Sequence, residues 1–403
     1  MTVTARDVKA ARAAVETVAR RTPMLSTRTF SERAGGTVAL KAENLQRTGS
    51  FMVRGVAAKL DALGHEGCKN GVIAASAGNH AQALAAGAAA RGVHCEVVVP
   101  VDAPMAKVEA ARRYGAIVHT GGKSVDECIV IALEKAEAEG LAFVHPFDDP
   151  AIVAGQGSLG LELLEDVPDL AQVVIPIGGG GLCAGTALVI KDAKPHVKII
   201  GVQVAACAPY PESMQAGTPI EAKTALTIAD GIAVKRPGGI PLAILRTHLD
   251  DLVVVNEEAT AAAMALLLER CKLVVEGAGA VGIAALLGGQ VEPVDGTTVA
   301  VLSGGNVDAG LLAAIARRHE TEAGRRLVAL TRIPDRPGGL ATLLAAVAGT
   351  GANIVDVSHV REGLGLHVRE TAVEMVLETR GRDHAQTVLT KLQQEGYETQ
   401  VIA

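Results

Sequence analysis

The 403-residue chain is 49% hydrophobic and 20% charged, long enough for two or three packed domains and too apolar to stay disordered. Aromatic residues make up only 2% and the net charge is -6, which argues against base stacking and a basic footprint, so nucleic acid is not expected as a partner. Membrane spans are not expected either, because Thr260 and Glu269 bound one apolar run and the 173–190 run contains Pro176 and four consecutive glycines.

The N-terminus reads as a polar-faced helix without the apolar block of a signal peptide, so the cytoplasm is the expected compartment. Six scattered cysteines and eleven histidines form no CxxC or HExxH pattern, so neither a metal site nor a disulfide framework is expected.

From Lys59 onward, strands at 72–74, 95–99 and 117–119 alternate with Ala-rich helices at 81–90, 105–113 and 124–138. This recurrence every roughly 20 to 25 residues predicts parallel strands with helical crossovers, an α/β architecture. The rhythm continues through strands at 173–176, 199–204, 252–255 and 299–302 and fades near Arg317. A charged stretch from Arg317 leads into an expected linker at 318–326, which divides a first domain at 1–322 from a second at 323–403. The second domain reads as strand 327–333, helix 338–347, strands 353–360 and 370–377, helix 384–394 and strand 399–402. That βαββαβ order is the ferredoxin-like arrangement, an antiparallel sheet with both helices on one face.

Four segments carry chemistry. Ile177-Gly178-Gly179-Gly180-Gly181-Leu182 follows an apolar strand and opens a helix, so backbone N–H groups can converge on a phosphate at the positive end of the helix. A tight strand-to-helix turn would use the same glycines. The run has neither GxGxxG spacing nor a following Lys-Ser/Thr, which disfavours a dinucleotide and a nucleoside triphosphate. Ala75-Ser76-Ala77-Gly78-Asn79-His80 offers side-chain donors beside free helical N–H groups, suited to a carboxylate or a phenolate oxygen, or simply a helix cap. The third segment is Glu43 through Gly55, with Ser50-Phe51-Met52-Val53-Arg54-Gly55 at its end, and the fourth is Leu302-Ser303-Gly304-Gly305-Asn306. Alone, Ser303 could be a turn serine before two glycines.

In this order and at these separations, the four segments resemble the fold-type II pyridoxal-phosphate enzymes, most closely the threonine ammonia-lyases (threonine dehydratases). The resemblance runs from about Arg6 to Glu322 and includes His145-Pro146-Phe147-Asp148-Asp149, Ala229-Asp230-Gly231-Ile232-Ala233 and Val275-Glu276-Gly277-Ala278-Gly279. It implies a two-lobed fold with parallel-type sheets, the smaller lobe, about 50–145, being inserted in the larger, and pyridoxal 5'-phosphate as cofactor. By position it implies that Gly178, Gly179, Gly180, Gly181 and Leu182 hold the cofactor phosphate, Asn79 its ring oxygen and Ser303 its pyridine nitrogen. Phe51 would pack on the ring face, Glu276 would sit near the ring, and Ser76, Ala77, Gly78, Asn79 and His80 would receive the carboxylate of an amino-acid substrate. A neutral serine at the pyridine nitrogen makes the cofactor a gentler electron sink, which suits β-elimination.

The chain departs from the resemblance at one position: Met52 stands where the family places its Schiff-base lysine. A thioether forms no imine and cannot remove an α-proton. Lys59 lies about two helical turns, roughly 10 Å, further on, and nothing places Lys41 at the cofactor, so neither is expected to replace it. Met is close to Lys in length and unbranched, so the fold should tolerate it with little packing penalty.

The tail segment Ile333-Pro334-Asp335-Arg336-Pro337-Gly338-Gly339-Leu340, followed by Gly351-Ala352-Asn353-Ile354, resembles ACT regulatory domains. Pro337 is expected to start a helix whose N–H groups suit an amino-acid carboxylate, though a Pro-Gly turn in a purely structural module has the same composition. The resemblance implies Asp335, Gly338 and Asn353 as regulatory residues, isoleucine or valine as effector, and a homo-oligomer, dimer or tetramer, with tails paired across subunits. The Gly363-Leu364-Gly365 turn carries no information on ligand choice. The expected activity is conversion of L-threonine to 2-oxobutanoate and ammonia, with L-serine secondary. The alternatives are a catalytically silent amino-acid sensor and a serine or threonine racemase.

Overall fold

The computed structural model describes residues 2–224, 226–360, 367 and 369–402. The 363–365 turn lies outside them. The chain divides into two units, Met1–Asp308 and Ala309–Ala403.

The first unit holds two sheets. The larger has six strands in the order Met24–Ser26, Val38–Lys41, Thr297–Val301, Leu170–Pro176, Lys198–Val204 and Asp251–Val255. Only its first pair is antiparallel. The smaller is fully parallel, in the order Ile117–Thr120, Cys95–Val99, Val72–Ala75 and Ala142–Phe143. The single α/β rhythm of the sequence thus feeds two sheets, because the chain leaves the larger one after Lys41, builds the smaller, and returns at Leu170. The sequence reading passed over Met24–Ser26 and Ala142–Phe143, which are too short to show a hydrophobic period.

Central strands such as Thr297–Val301 are buried along their whole length, as parallel strands covered by helices on both faces must be. One core gathers Val173, Ile175, Leu159 and Val189, and a second gathers Val53, Val56, Leu84 and Val97 under the smaller sheet. The helix Met52–Cys68 contributes to the second core, and Phe51 at its N-terminus packs against both. Five of the six cysteines are buried and all six are free thiols.

The second unit begins earlier than the 322/323 boundary expected from sequence. The helix Ala309–Glu322 belongs to it and runs through most of the stretch expected as a linker. Its charge run is the solvated face of a helix, with Arg318 and Glu322 paired at 2.8 Å one turn apart. Beyond it, Asn353–Val360, Glu370–Glu378, Arg326–Pro334 and Thr399–Val401 form an antiparallel sheet in that order. The helices Gly339–Ala348 and Arg382–Gln394 bury Leu343, Val347, Val388 and Leu392 with Leu327, Val373 and Leu377, completing the βαββαβ arrangement. Pro337 does not start the first of these helices. It precedes Gly338, whose left-handed φ of 87° makes the glycine the N-cap. Among the described residues no helix is long and apolar enough to cross a membrane.

Candidate active site

Strand Leu170–Pro176 ends directly in the glycine turn, and helix Gly181–Ala193 leaves it with Gly180 as N-cap at φ 96°. Two of the carbonyls here, those of Ile177 and Gly179, are held from within the protein. Ile177 O accepts from Gln203 Nε2 at 3.1 Å, and Gly179 O accepts from the Tyr210 hydroxyl at 3.0 Å and from Gly238 N–H at 3.2 Å. The N–H groups of Gly178, Gly179, Gly180, Gly181 and Leu182 have no hydrogen-bond partner among the described residues. The two inner glycines answer to what lies behind the turn. A Cβ at Gly179 would fall 2.1 Å from the Phe147 ring, and one at Gly180 would fall 1.9 Å from the Tyr210 hydroxyl oxygen. Phe147 is held edge-on to His145 at 4.7 Å, and Asp148 beside it accepts from Gly239 N–H and Ile240 N–H at 3.1 and 2.8 Å.

In the smaller lobe, strand Val72–Ala75 leads to Ser76, whose hydroxyl accepts from Gly78 N–H at 3.1 Å, and then to helix Asn79–Ala89. Ser76, Ala77, Gly78 and Asn79 are half-buried, and the N–H groups of Asn79, His80 and Ala81 make no bond within the described chain. This is a positive helix end open to a carboxylate. His80 joins it only through its backbone: its ring is buried, with Nε2 2.8 Å from Val144 O, and burial lowers its pKa to about 4. The imidazole is therefore neutral at physiological pH.

From the second turn a polar network runs to the buried Glu276 carboxyl. Asn79 Nδ2 donates to Glu276 Oε1 at 2.8 Å, while Asn79 Oδ1 accepts from Asn306 Nδ2 at 2.7 Å. Asn306 Nδ2 also donates to Thr48 O at 2.8 Å. Burial pushes the Glu276 carboxyl up to about 7, with the Asp230 charge adding to the effect and Asn79 and Lys107 opposing it. Ser303, 2% exposed, ties the fourth segment to the third, since Phe51 N–H donates to Ser303 O at 3.1 Å. Its hydroxyl has no partner among the described residues.

Met52 is buried at the start of its helix, with its sulfur 3.9 Å from Gln156 Nε2. Neither lysine near it in sequence takes over. Lys41 is fully buried and pairs with Glu162 at 2.6 Å, and Lys59 pairs with Asp149 at 2.5 Å. The fold therefore brings Phe51 and position 52 beside Ser303, bonds Asn79 to Glu276 and adds Asn306, while Phe147 and Tyr210 pack behind the glycine turn; the sequence reading gave these last three no role. Asn306 stood inside a quoted segment, but nothing local marked Tyr210.

The second unit contains a cavity of about 530 Å³ lined by Asp335, Gly338, Leu340, Leu344, His359 and Thr371. Asn353 is not among its lining residues. It begins the strand Asn353–Val360 and bonds Glu378 at 2.8 Å, whereas His359 lies near that strand's other end.

A glycine turn with unengaged N–H groups, a second helix end open to a carboxylate and an unpartnered hydroxyl on a buried serine are features of a cofactor-dependent α/β enzyme. Residues 15–304 match the pyridoxal-phosphate dependent enzymes, and the chain belongs to that family. It is 45% identical over 383 residues to an L-threonine ammonia-lyase of Geobacter sulfurreducens, covering 95% of each chain. Two solved structures are also similar. The processed form of threonine deaminase isoform 2 from Solanum lycopersicum shares 34% identity at a TM-score of 0.74, over 77% of this chain and 92% of that one. Serine racemase from Dictyostelium discoideum shares 34% at a TM-score of 0.72, over 76% of this chain and 100% of that one. The residues present fit pyridoxal phosphate, the family's cofactor: unengaged N–H groups suit its phosphate, and the unpartnered Ser303 hydroxyl suits a ring nitrogen.

Proposed function

We propose that the chain carries the framework of a threonine ammonia-lyase of the isoleucine-biosynthesis type, converting L-threonine to 2-oxobutanoate and ammonia, with L-serine as a secondary substrate. What supports this reading is the hydrogen bonding that ties the Ser76-to-His80 turn through Asn79 to Glu276 and Asn306, the Phe51 N–H bond to Ser303 O beside position 52, and the unengaged N–H groups of the glycine turn. In it, the N–H groups of Gly178 through Leu182 bind the cofactor phosphate, the Ser303 hydroxyl meets the ring nitrogen, Asn79 donates to the ring oxygen and Phe51 covers a ring face. The turn from Ser76 through Ala77 and Gly78 to His80 receives the substrate carboxylate, with the N–H groups of Asn79 and His80 unengaged. When bound, pyridoxal phosphate supplies an electron sink for the charge left at the substrate's α-carbon. Glu276, partly protonated near neutral pH, supports Asn79 without placing a full negative charge beside that sink.

Met52 supplies neither an imine nor a base, so the chain as it stands is expected to bind cofactor and turn over little. Met52→Lys, assayed for 2-oxobutanoate with threonine and pyridoxal phosphate, should raise the rate by at least about a hundredfold, the scale of a positioned general base. A variant that binds cofactor yet yields no keto acid would remove the lyase reading. Met52 itself favours the second reading, a catalytically silent amino-acid sensor, which that outcome would support. A racemase would instead give D-threonine or allothreonine. The lyase relative matches this chain over nearly its whole length, whereas the racemase is covered in full by 76% of it.

The C-terminal unit is read as an ACT regulatory domain. Its cavity places Asp335 and the N-terminus of helix Gly339–Ala348 beside the apolar Leu340 and Leu344, a chemistry suited to isoleucine or valine. Asn353 would contribute from a second copy, which accords with a homo-oligomer of two or four chains. The cytoplasm is the compartment this activity suits.

A further inference from the structure

Tyr210 is fully buried in the core behind the glycine turn, 31 residues further along the chain. Burial raises its pKa well above the ordinary value, so the hydroxyl stays a neutral donor. Its position is set from its own backbone: Tyr210 N–H donates to Gln203 Oε1 at 2.9 Å, and the same Gln203 amide donates to Ile177 O at 3.1 Å. One side chain thus ties the tyrosine's segment to the residue preceding the glycines.

The consequence follows from peptide geometry. In a trans peptide the C=O and the following N–H point in opposite directions. The described chain has no cis bonds. The Tyr210 hydroxyl bonded to Gly179 O therefore aims the Gly180 N–H away from the core, and Gln203 bonded to Ile177 O does the same for the Gly178 N–H. Without such anchors a run of four glycines has more backbone freedom than any other sequence and would hold its donors in many directions. Gly180 is glycine because the hydroxyl approaches so closely that a Cβ would meet it at 1.9 Å.

We propose that Tyr210 is a positioning residue of the phosphate cradle, fixing from behind the direction in which the Gly180 N–H is presented. The inference rests on the reading of the glycine turn as a phosphate site. It is tested on the full chain by comparing the affinities of pyridoxal 5'-phosphate and of pyridoxal, which lacks the phosphate, in the unsubstituted protein and in Tyr210→Phe. Loss of an oriented donor is expected to weaken pyridoxal 5'-phosphate about tenfold, leave pyridoxal unchanged, and move the ³¹P resonance of the bound ligand. Tyr210→Met, which fills much of the same space without a hydroxyl, should give the same split. Equal weakening of both ligands, or no weakening of either with an unmoved ³¹P signal, would overturn the proposal. If the unsubstituted chain binds the two ligands equally, the phosphate reading itself falls and takes the proposal with it, an outcome visible before any variant is made.

Discussion

At the scale of single residues, the site depends on which way Asn79 faces. Its amide oxygen accepts from Asn306 and its nitrogen donates to Glu276, so the network settles an orientation that the side chain alone would leave open. These partners lie 227 and 197 positions away in sequence, beyond any local motif. Glu276 gives a measurable consequence. Its folded pKa of about 7 stands above its ordinary 4.5, so in that window the unfolded chain ionises first. Its contribution is fully present below pH 4.5 and is lost as pH rises to about 7, on the order of 3 kcal/mol. Urea unfolding without added cofactor should show Glu276→Gln gaining relative stability over this interval. Parallel pH profiles for the two proteins would refute the assignment of that proton to Glu276.

At the scale of elements, one buried ion cluster joins the segment carrying position 52 to the rest of its unit. Arg54, two residues beyond Met52, donates to both oxygens of Glu43 at 2.8 Å and to Glu162 at 2.7 and 3.0 Å. Lys41 pairs with the same Glu162. Burial pushes the Glu43 carboxyl up, but Arg54, with Thr22 and Lys41, more than offsets this and holds it below its ordinary value. The cluster links the turn Glu43–Leu45, helix Met52–Cys68 and helix Pro150–Asp166. Arg54→Met leaves Glu43 without its main partner and Glu162 with Lys41 alone, and should cost about 3–5 kcal/mol, seen as an earlier denaturant midpoint. A midpoint unchanged within error would show that the cluster does not hold these elements together. Here the sequence displayed the residues inside a motif but not their structural task, because the partners come from separate elements.

At the scale of the whole molecule, the chain joins a two-sheet unit to a separate antiparallel unit with its own core. If the cavity at Asp335 and Gly338 is the effector site, isoleucine or valine binding should require the second unit. Calorimetry on the full chain and on a chain ending at Asp308 should show binding lost in the shorter form. Equal binding by both would assign the amino-acid site to the first unit instead.

Sequence alone determined the α/β rhythm, the βαββαβ tail, the glycine turn and the missing amine at position 52. All of these are local: hydrophobic period, glycine clustering and residue identity survive in a linear reading. Tertiary structure alone decided which strands pair in each sheet, that the helix Ala309–Glu322 goes with the tail, and that Tyr210 and Phe147 pack behind the glycine turn while Asn306 bonds Asn79. Those outcomes rest on contacts between residues far apart in the chain. Packing and the pairing of buried polar groups choose such contacts only once the elements have come together.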